Sequence, residues 1–314
     1  MAYTNYIGID IASRSFEVAV YDNQGTSGFN NNQAGFDRFW TAYRDLLADG
    51  LVVVEATGGY ENALVSFLVV RGIAVHRAST QKASLFIRSL SLRAKTDRID
   101  ARHLARFAAE RHPQLVLVEL VDADHRRLQQ LHMRMDDLKG IRLQETQRSK
   151  HPNYAELQDA IASVLQVVEA QIEQLSEQMA AIIKANSMLE KTFRIMTNFS
   201  GVGTQTALCL MACMPELGTL SRKGAASLAG VAPHPRQSGR HEGYRSTRGG
   251  RVRVRKALFM AVLSAKRYNP GLRDFYQRLI KSGKKKMVAI VATMRKMIVI
   301  LNAMIRDELY QKTW

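Results

Sequence analysis

The sequence predicts three consecutive parts: a mixed α/β domain at 1–118, a long-helix arm at 119–192 and an all-α domain at 193–314. Three observations carry this division. Apolar strands alternate with amphipathic helices as far as about residue 118, the pattern of a sheet covered by helices. A heptad-spaced apolar seam then runs from Leu157 to Ile182, as two long helices packed together require. After it the chain returns to short apolar helical segments divided by glycine turns.

Within the first part, "NYIGIDIASRSFEVAVYD" reads as two strands joined by a tight turn around Ala12–Ser15. "GFDRFWTAYRDLLADG" is an amphipathic helix that ends at Gly50. "LVVVEA" is a short buried strand, "YENALVSFLVVRG" a helix and "IAVHRAS" a further strand. "TDRIDARHLARFAAER" opens the next helix, with Thr96 or Asp97 as its N-cap.

In the arm, Leu128, Leu131, Met135 and Leu138 recur at helical spacing, with Arg126, Arg127, Arg134, Lys139, Arg142 and Arg148 on the other faces. "KHPNY" breaks that helix, and Leu157, Ile161, Val164, Val168, Ile172, Leu175, Met179 and Ile182 form the seam of its antiparallel partner. The seam closes on the preceding helix or on another subunit. In the third part Gly201 and Gly203 of "FSGVGTQTA" separate two apolar helices. "GVAPHPRQSGRHEGYRSTRGG" then reads as a loop before the final helices.

A formal charge of +17 over 314 residues points to a polyanionic partner, because lysines and arginines gain affinity by releasing counterions from nucleic acid. A membrane surface is not expected. No apolar run is read as long enough to span a bilayer, since "MVAIVATMRKMIVILNAMI" carries Arg295 and Lys296 in its middle. "MAYTNYIGID" lacks the charged and apolar regions of a secretory leader. The two cysteines, Cys209 and Cys213, stand one helical turn apart with no ligand-like histidine beside them in the sequence. They predict a reducing cytosol, with neither a disulfide framework nor a zinc site.

Four carboxylates stand out. Asp10 ends the first strand and Glu55 ends the "LVVVE" strand. Asp97 and Asp100, three residues apart, share one helix face. Strand ends of an α/β sheet gather at one edge, where such folds place their chemistry. Four carboxylates meeting there would repel unless divalent cations neutralised them, and hard oxygen donors suit magnesium or manganese. Each taken alone also reads as a turn cap or a solvated ion pair. A second unusual stretch surrounds Ser238 with Arg236, Arg240, Arg245, Arg248, Arg251, Arg253, Arg255 and Lys256, and His234 and His241 flank it. A serine hydroxyl is a weak nucleophile by itself, but guanidinium groups would stabilise charge developing on a phosphate it attacked. Composition alone favours the plainer reading, in which Ser238 is one loop residue of a phosphate-binding patch. Gly201 and Gly203 resemble a helix-hairpin-helix turn able to approach a phosphate, or else a plain interhelical turn. Lys281, Lys284, Lys285 and Lys286 form a basic run suited to nonspecific phosphate contact.

"IGIDIASRSFEVAV", "VVVEATGGYE" and "LRAKTDRIDARHLA" resemble the three motifs of the DEDD transposases of the insertion-sequence one-ten family, the bridge-RNA-guided recombinases. The resemblance extends over nearly the whole chain, through the long-helix middle to "FSGVGTQTA" and "GVAPHPRQSG". It implies an RNase H/RuvC-like N-terminal domain, a coiled-coil arm and an all-α C-terminal domain carrying the reactive serine. It also implies Asp10, Glu55, Asp97 and Asp100 as the ligands of magnesium or manganese. Ser238 in "RQSG" would bond covalently to DNA, with Ser246 as the runner-up. The implied partners are donor and target double-stranded DNA, a structured guide RNA and further copies of the chain, as a dimer or a synaptic tetramer whose composite site joins two subunits. Such an enzyme would work in the bacterial cytoplasm, on the nucleoid when active. Three other readings remain: a pilin-type DNA invertase sharing these motifs, a RuvC-type junction-resolving nuclease that needs no Ser238, and a nonenzymatic nucleic-acid-binding protein.

Overall fold

The computed structural model of the chain describes residues 3–90, 96–119, 122–238 and 241–309, and the side chains among them outside 235–245. Leu92 to Lys95 of the third acidic motif, and Arg240, therefore lie outside the described residues. The chain divides into two compact units, Met1–Val121 and Asp122–Trp314.

The first unit runs β1 (Asn5–Ile11), β2 (Ser15–Val20), β3 (Thr26–Asn30), α1 (Gln33–Ala48), β4 (Gly50–Glu55), α2 (Asn62–Val70), β5 (Ala74–Ala78), α3 (Thr80–Ser89) and α4 (Asp97–Arg111). Its five-stranded sheet has the order β3-β2-β1-β4-β5. β1, β2 and β3 pair antiparallel, while β1, β4 and β5 pair parallel. Alternation along β1 sorts the residues by face. Ile7, Ile9 and Ile11 join Val52, Val54, Phe39 and Leu68 in the core beneath α1 and α2. The opposite face carries Val53, packed with Leu104 and Phe107 of α4. The expected hairpin, both parallel strands and the Thr96 cap are present. β3 and α3 were not expected: "TSGFN" has too little apolar alternation to announce an edge strand, and α3, capped by Ser79, is only ten residues long.

The second unit runs α5 (Ala123–Ser149), α6 (Gln158–Ala185), α7 (Ser187–Thr197), α8 (Thr204–Cys213), α9 (Arg222–Leu228), β6 (Pro233–Ser238), β7 (His241–Thr247), α10 (Val252–Tyr268), α11 (Pro270–Lys281) and α12 (Lys286–Leu309). α5 and α6 are antiparallel, as three pairings show. Gln158 Nε2 donates to the Ser149 carbonyl (3.2 Å), the Ser176 hydroxyl to the Met135 sulfur (3.6 Å) and Asn186 Nδ2 to Asp124 Oδ2 (2.9 Å). Of the expected seam, Ile161, Val168 and Met179 are buried, whereas Leu157 and Val164 are exposed. Leu128, Met135, Met179 and Ile183 share one core with Leu208, Leu258 and Leu301, so the base of the helix pair is continuous with the C-terminal helices.

Two expectations for this unit are corrected. The C-terminal part is not all-α, because the basic stretch read as a loop forms the hairpin β6–β7. Prolines at 233 and 235 hide it, since proline sits in sheets only at edges or irregularities; a register shift between His234 and Arg236 accommodates Pro235. The apolar C-terminal segment is, by length and composition, sufficient to cross a membrane. Half of that window is buried within the protein, where Met294, Met297, Ile298, Leu301 and Ile305 fill the core. Asn302 of α12 accepts from the Gly218 N–H (2.9 Å) and donates to the Leu220 carbonyl (2.8 Å), which ties the helix to the loop after α8.

Candidate active site

Asp10 shares the α4-facing side of β1 with Gly8, two residues before it. At Gly8 the helix lies almost on the strand. A Cβ there would meet the Ala101 carbonyl oxygen at 2.1 Å and the Ala105 nitrogen at 2.2 Å. Ala19, Ala101 and Ala105 complete this small-residue contact. Seating α4 so closely brings its first turn beside the end of β1. The Thr96 hydroxyl accepts from the Ile99 N–H (3.3 Å) and starts the helix there, and Asp97 and Asp100 occupy that first turn. The N-terminal end of the helix dipole favours their charge.

Glu55 closes the neighbouring parallel strand β4. The turn after it is shaped by Glu61, only 3% exposed, whose carboxylate accepts from the N–H groups of Thr57 (3.1 Å) and Gly59 (3.0 Å). Gly58 and Gly59 adopt positive φ (66° and 105°) in that turn, which glycine does without strain. Asp10, Glu55, Asp97 and Asp100 thus line one cleft of about 390 Å³. Burial, and then the charges of Asp100, Asp97 and Glu55, push the Asp10 carboxyl up to about 6.

This donor set fits hard divalent cations. Four oxygen-donor side chains converge on one cleft, and burial together with the neighbouring carboxylates raises the Asp10 carboxyl, an environment that a divalent cation would relieve. No three of them bring donor oxygens within 4.8 Å of one another.

Sequence reasoning missed Glu17, which also lines the cleft and lies directly across the β1–β2 ladder from Asp10. Strand pairing was the signal that pointed to it. Its Oε1 accepts from the Thr26 hydroxyl (2.7 Å) and lies 3.4 Å from Arg98 Nε, so it already has partners.

The close α4 contact gives a first prediction. Gly8→Val lifts α4 from β1, costs about 1–3 kcal/mol by overpacking and slows DNA cleavage about 100-fold by misplacing Asp97 and Asp100. Chemical denaturation and a single-turnover cleavage assay check both parts.

The basic residues divide by their partners. Arg251 makes a bidentate pair with Glu216 (2.6 Å twice) and donates to the Cys213 carbonyl (2.8 Å). Arg253 binds Asp136 (2.9 Å) and Arg255 the Gly249 carbonyl (2.8 Å). Arg248, Lys256, Lys284, Lys285 and Lys286 are exposed. Gly201 abuts Ala265, where a Cβ would come within 2.4 Å, whereas Gly203 caps α8 with open space around it. Packing against α10 therefore explains Gly201. Ser238 ends β6 opposite His241; Ser246 pairs with His234 farther down the hairpin, and its Oγ is enclosed without a hydrogen-bond partner.

The expectation that no histidine stands beside the cysteines is also corrected. α5 brings His132 to Cys209 and Cys213, a neighbour that a separation of 77 residues (209 less 132) conceals.

Residues 7–152 match the DEDD transposase family of IS110, and residues 194–277 match the transposase family IS116/IS110/IS902. Pilin gene-inverting proteins of Moraxella lacunata and Moraxella bovis are each 29% identical over 312 residues, 96% of this chain and 96% of theirs. A 43.6 kDa protein of insertion element IS110 from Streptomyces coelicolor is 31% identical over 151 residues, 47% of this chain and 36% of its own. With matching acidic and C-terminal segments on one chain and four carboxylates gathered in one cleft, the protein belongs to the IS110 family of transposases and is a DNA recombinase.

Proposed function

We propose that this recombinase moves an insertion sequence under the guidance of a structured RNA, with Ser238 as nucleophile and magnesium or manganese held by Asp10, Glu55, Asp97 and Asp100. The gathering of those four carboxylates at one sheet edge carries the reading. The order β3-β2-β1-β4-β5, antiparallel then parallel, supports an RNase H/RuvC-like first unit. When bound, the ions would supply positive charge to the oxygens of a scissile phosphodiester.

Ser238 Oγ forms a bond to phosphorus, the bond to the deoxyribose oxygen breaks, the serine proton passes to water and the released sugar hydroxyl takes up a proton. A hydroxyl of the incoming strand then attacks the phosphoserine, restoring the serine and joining the new strand. Ser238 is preferred to Ser246 because the Ser246 oxygen is shielded from any substrate. Arg236, Arg240, Arg245, Arg248, Lys256, Lys284, Lys285 and Lys286 hold the DNA backbone, and the Gly203 end of α8 offers a phosphate free N–H groups. Arg126, Arg127, Arg134 and Arg142, exposed along α5, suit the backbone of an RNA duplex. Exposed Leu157 and Val164 on the arm support coiled-coil pairing with another copy, in a dimer or a synaptic tetramer. The enzyme would work in the cytoplasm, on nucleoid DNA.

The near full-length match to the pilin gene-inverting proteins favours a second reading, inversion of one DNA segment between fixed sites. Incubating the protein with magnesium, donor and target DNA, with and without the non-coding RNA of the element's end, separates the two. RNA-dependent joining is expected, at least about 100-fold above the reaction without RNA, the minimum for assembly of a productive complex. Equal joining without RNA would replace guidance with inversion.

A further inference from the structure

The second unit contains a cluster that the recombination chemistry does not use. His132 lies on the buried stripe of α5 between Leu128 and Met135. Cys209 and Cys213 stand one turn apart on α8. The donor atoms of the three all lie within 4.8 Å of one another. His132 is 3% exposed, and neither ring nitrogen makes a hydrogen bond of full geometry; the polar groups nearest it are Cys213 and Asp136. Leaving a buried polar group unpaired costs about 1–3 kcal/mol, and a purely packed core would favour leucine at this point of the stripe. The histidine has a donor set in front of it instead.

We infer that His132, Cys209 and Cys213 bind a zinc ion that ties α5 to α8. Two thiolates and an imidazole are the donors zinc prefers. Bonds of about 2.3 Å in a tetrahedron place sulfurs about 3.8 Å apart, so the 4.8 Å set needs only a small closure. The fourth position faces a cleft of about 520 Å³, with Asp136 and Arg253 on its wall. Asp136 Oδ1 lies 3.9 Å from His132 Nε2, and Arg253 holds its other oxygen at 2.9 Å. Asp136 falls outside the 4.8 Å set and would stand beside the histidine as a carboxylate that orients its ring, leaving the fourth position open to the cleft. The ion would fasten the base of the long-helix pair to the C-terminal helices, a structural role separate from the acidic cleft.

Cobalt(II) tests this, because thiolate ligands give it an intense charge-transfer absorption that oxygen ligands do not. The full-length protein, reduced and stripped with chelator, is titrated with cobalt(II) and then with zinc(II). One equivalent of cobalt is expected to produce the band, and zinc to displace it. Removing an outer-shell partner of a metal costs up to about 100-fold in affinity, so Cys213→Ser and Cys209→Ser are expected to weaken zinc binding more than about 100-fold. Asp10→Asn, which disables the acidic cleft, is expected to keep the band unchanged. Zinc X-ray absorption of the wild-type protein is a second measurement that does not depend on variants folding; two sulfur neighbours are expected. No charge-transfer band, or a zinc shell of oxygen and nitrogen only, would overturn the inference.

Discussion

Asp10→Asn slows DNA strand cleavage while making the metal-free protein more stable. The loss of activity should reach about 100- to 1000-fold, the scale on which losing one source of transition-state charge stabilisation acts, here the cation that Asp10 would hold. The gain in stability follows from the neighbours of Asp10. Burial and three nearby carboxylates raise its pKa in the folded chain from 3.8 to about 6. A raised carboxyl is a folded-state proton site. It costs the fold nothing while protonated, and its destabilisation grows as pH rises from about 4 to 6 and is complete above. After allowance for solvent screening the penalty is on the order of 1–2 kcal/mol. In chelator at pH 7.5 the wild type should therefore unfold at a lower temperature than Asp10→Asn, with the difference vanishing near pH 4. Magnesium should raise the wild-type midpoint and leave the variant unmoved. A thermal melt series over pH, with and without magnesium, checks the sign.

Ser238→Ala should eliminate the covalent protein–DNA product while preserving DNA binding. Removing the nucleophilic oxygen leaves no second step by which a strand could be joined, so recombination falls by more than about 1000-fold. The basic residues and the hairpin ladder remain, so binding measured by mobility shift should change less than about twofold. Ser246→Ala should retain the adduct. The readout is denaturing gel electrophoresis of protein trapped on end-labelled DNA. An adduct surviving in Ser238→Ala would transfer the nucleophile to another residue. Cleavage persisting at the wild-type rate with no adduct in either protein would favour a junction-resolving nuclease.

The two faces of β1 show what the sequence made legible. Isoleucines at 7, 9 and 11 identify the core face, which puts Asp10 on the other, and the apolar run of β4 places Glu55 at the same sheet edge. Thr96 followed by Asp97 and Asp100 marks a helix start by capping chemistry alone. The reason those aspartates meet Asp10 was not legible. It lies in Gly8, whose missing Cβ admits α4, and no local pattern shows which helix crosses which strand. The β6–β7 hairpin was hidden because its sequence is polar and broken by prolines at 233 and 235. His132 was hidden because the stripe it interrupts is read as core, and its partners follow three helices later. Local periodicity reports elements and faces; neighbours distant in sequence come only from packing.

Manganese binding measured by electron paramagnetic resonance on the purified full-length protein addresses the acidic cleft most directly. Free manganese gives a sharp six-line signal that disappears on binding, so the titration counts bound ions. Wild-type protein should remove manganese from solution, magnesium should compete, and Asp10→Asn combined with Glu55→Gln should leave the free signal intact. Equal uptake by the wild type and the double variant would show that the carboxylates of β1 and β4 hold no ion.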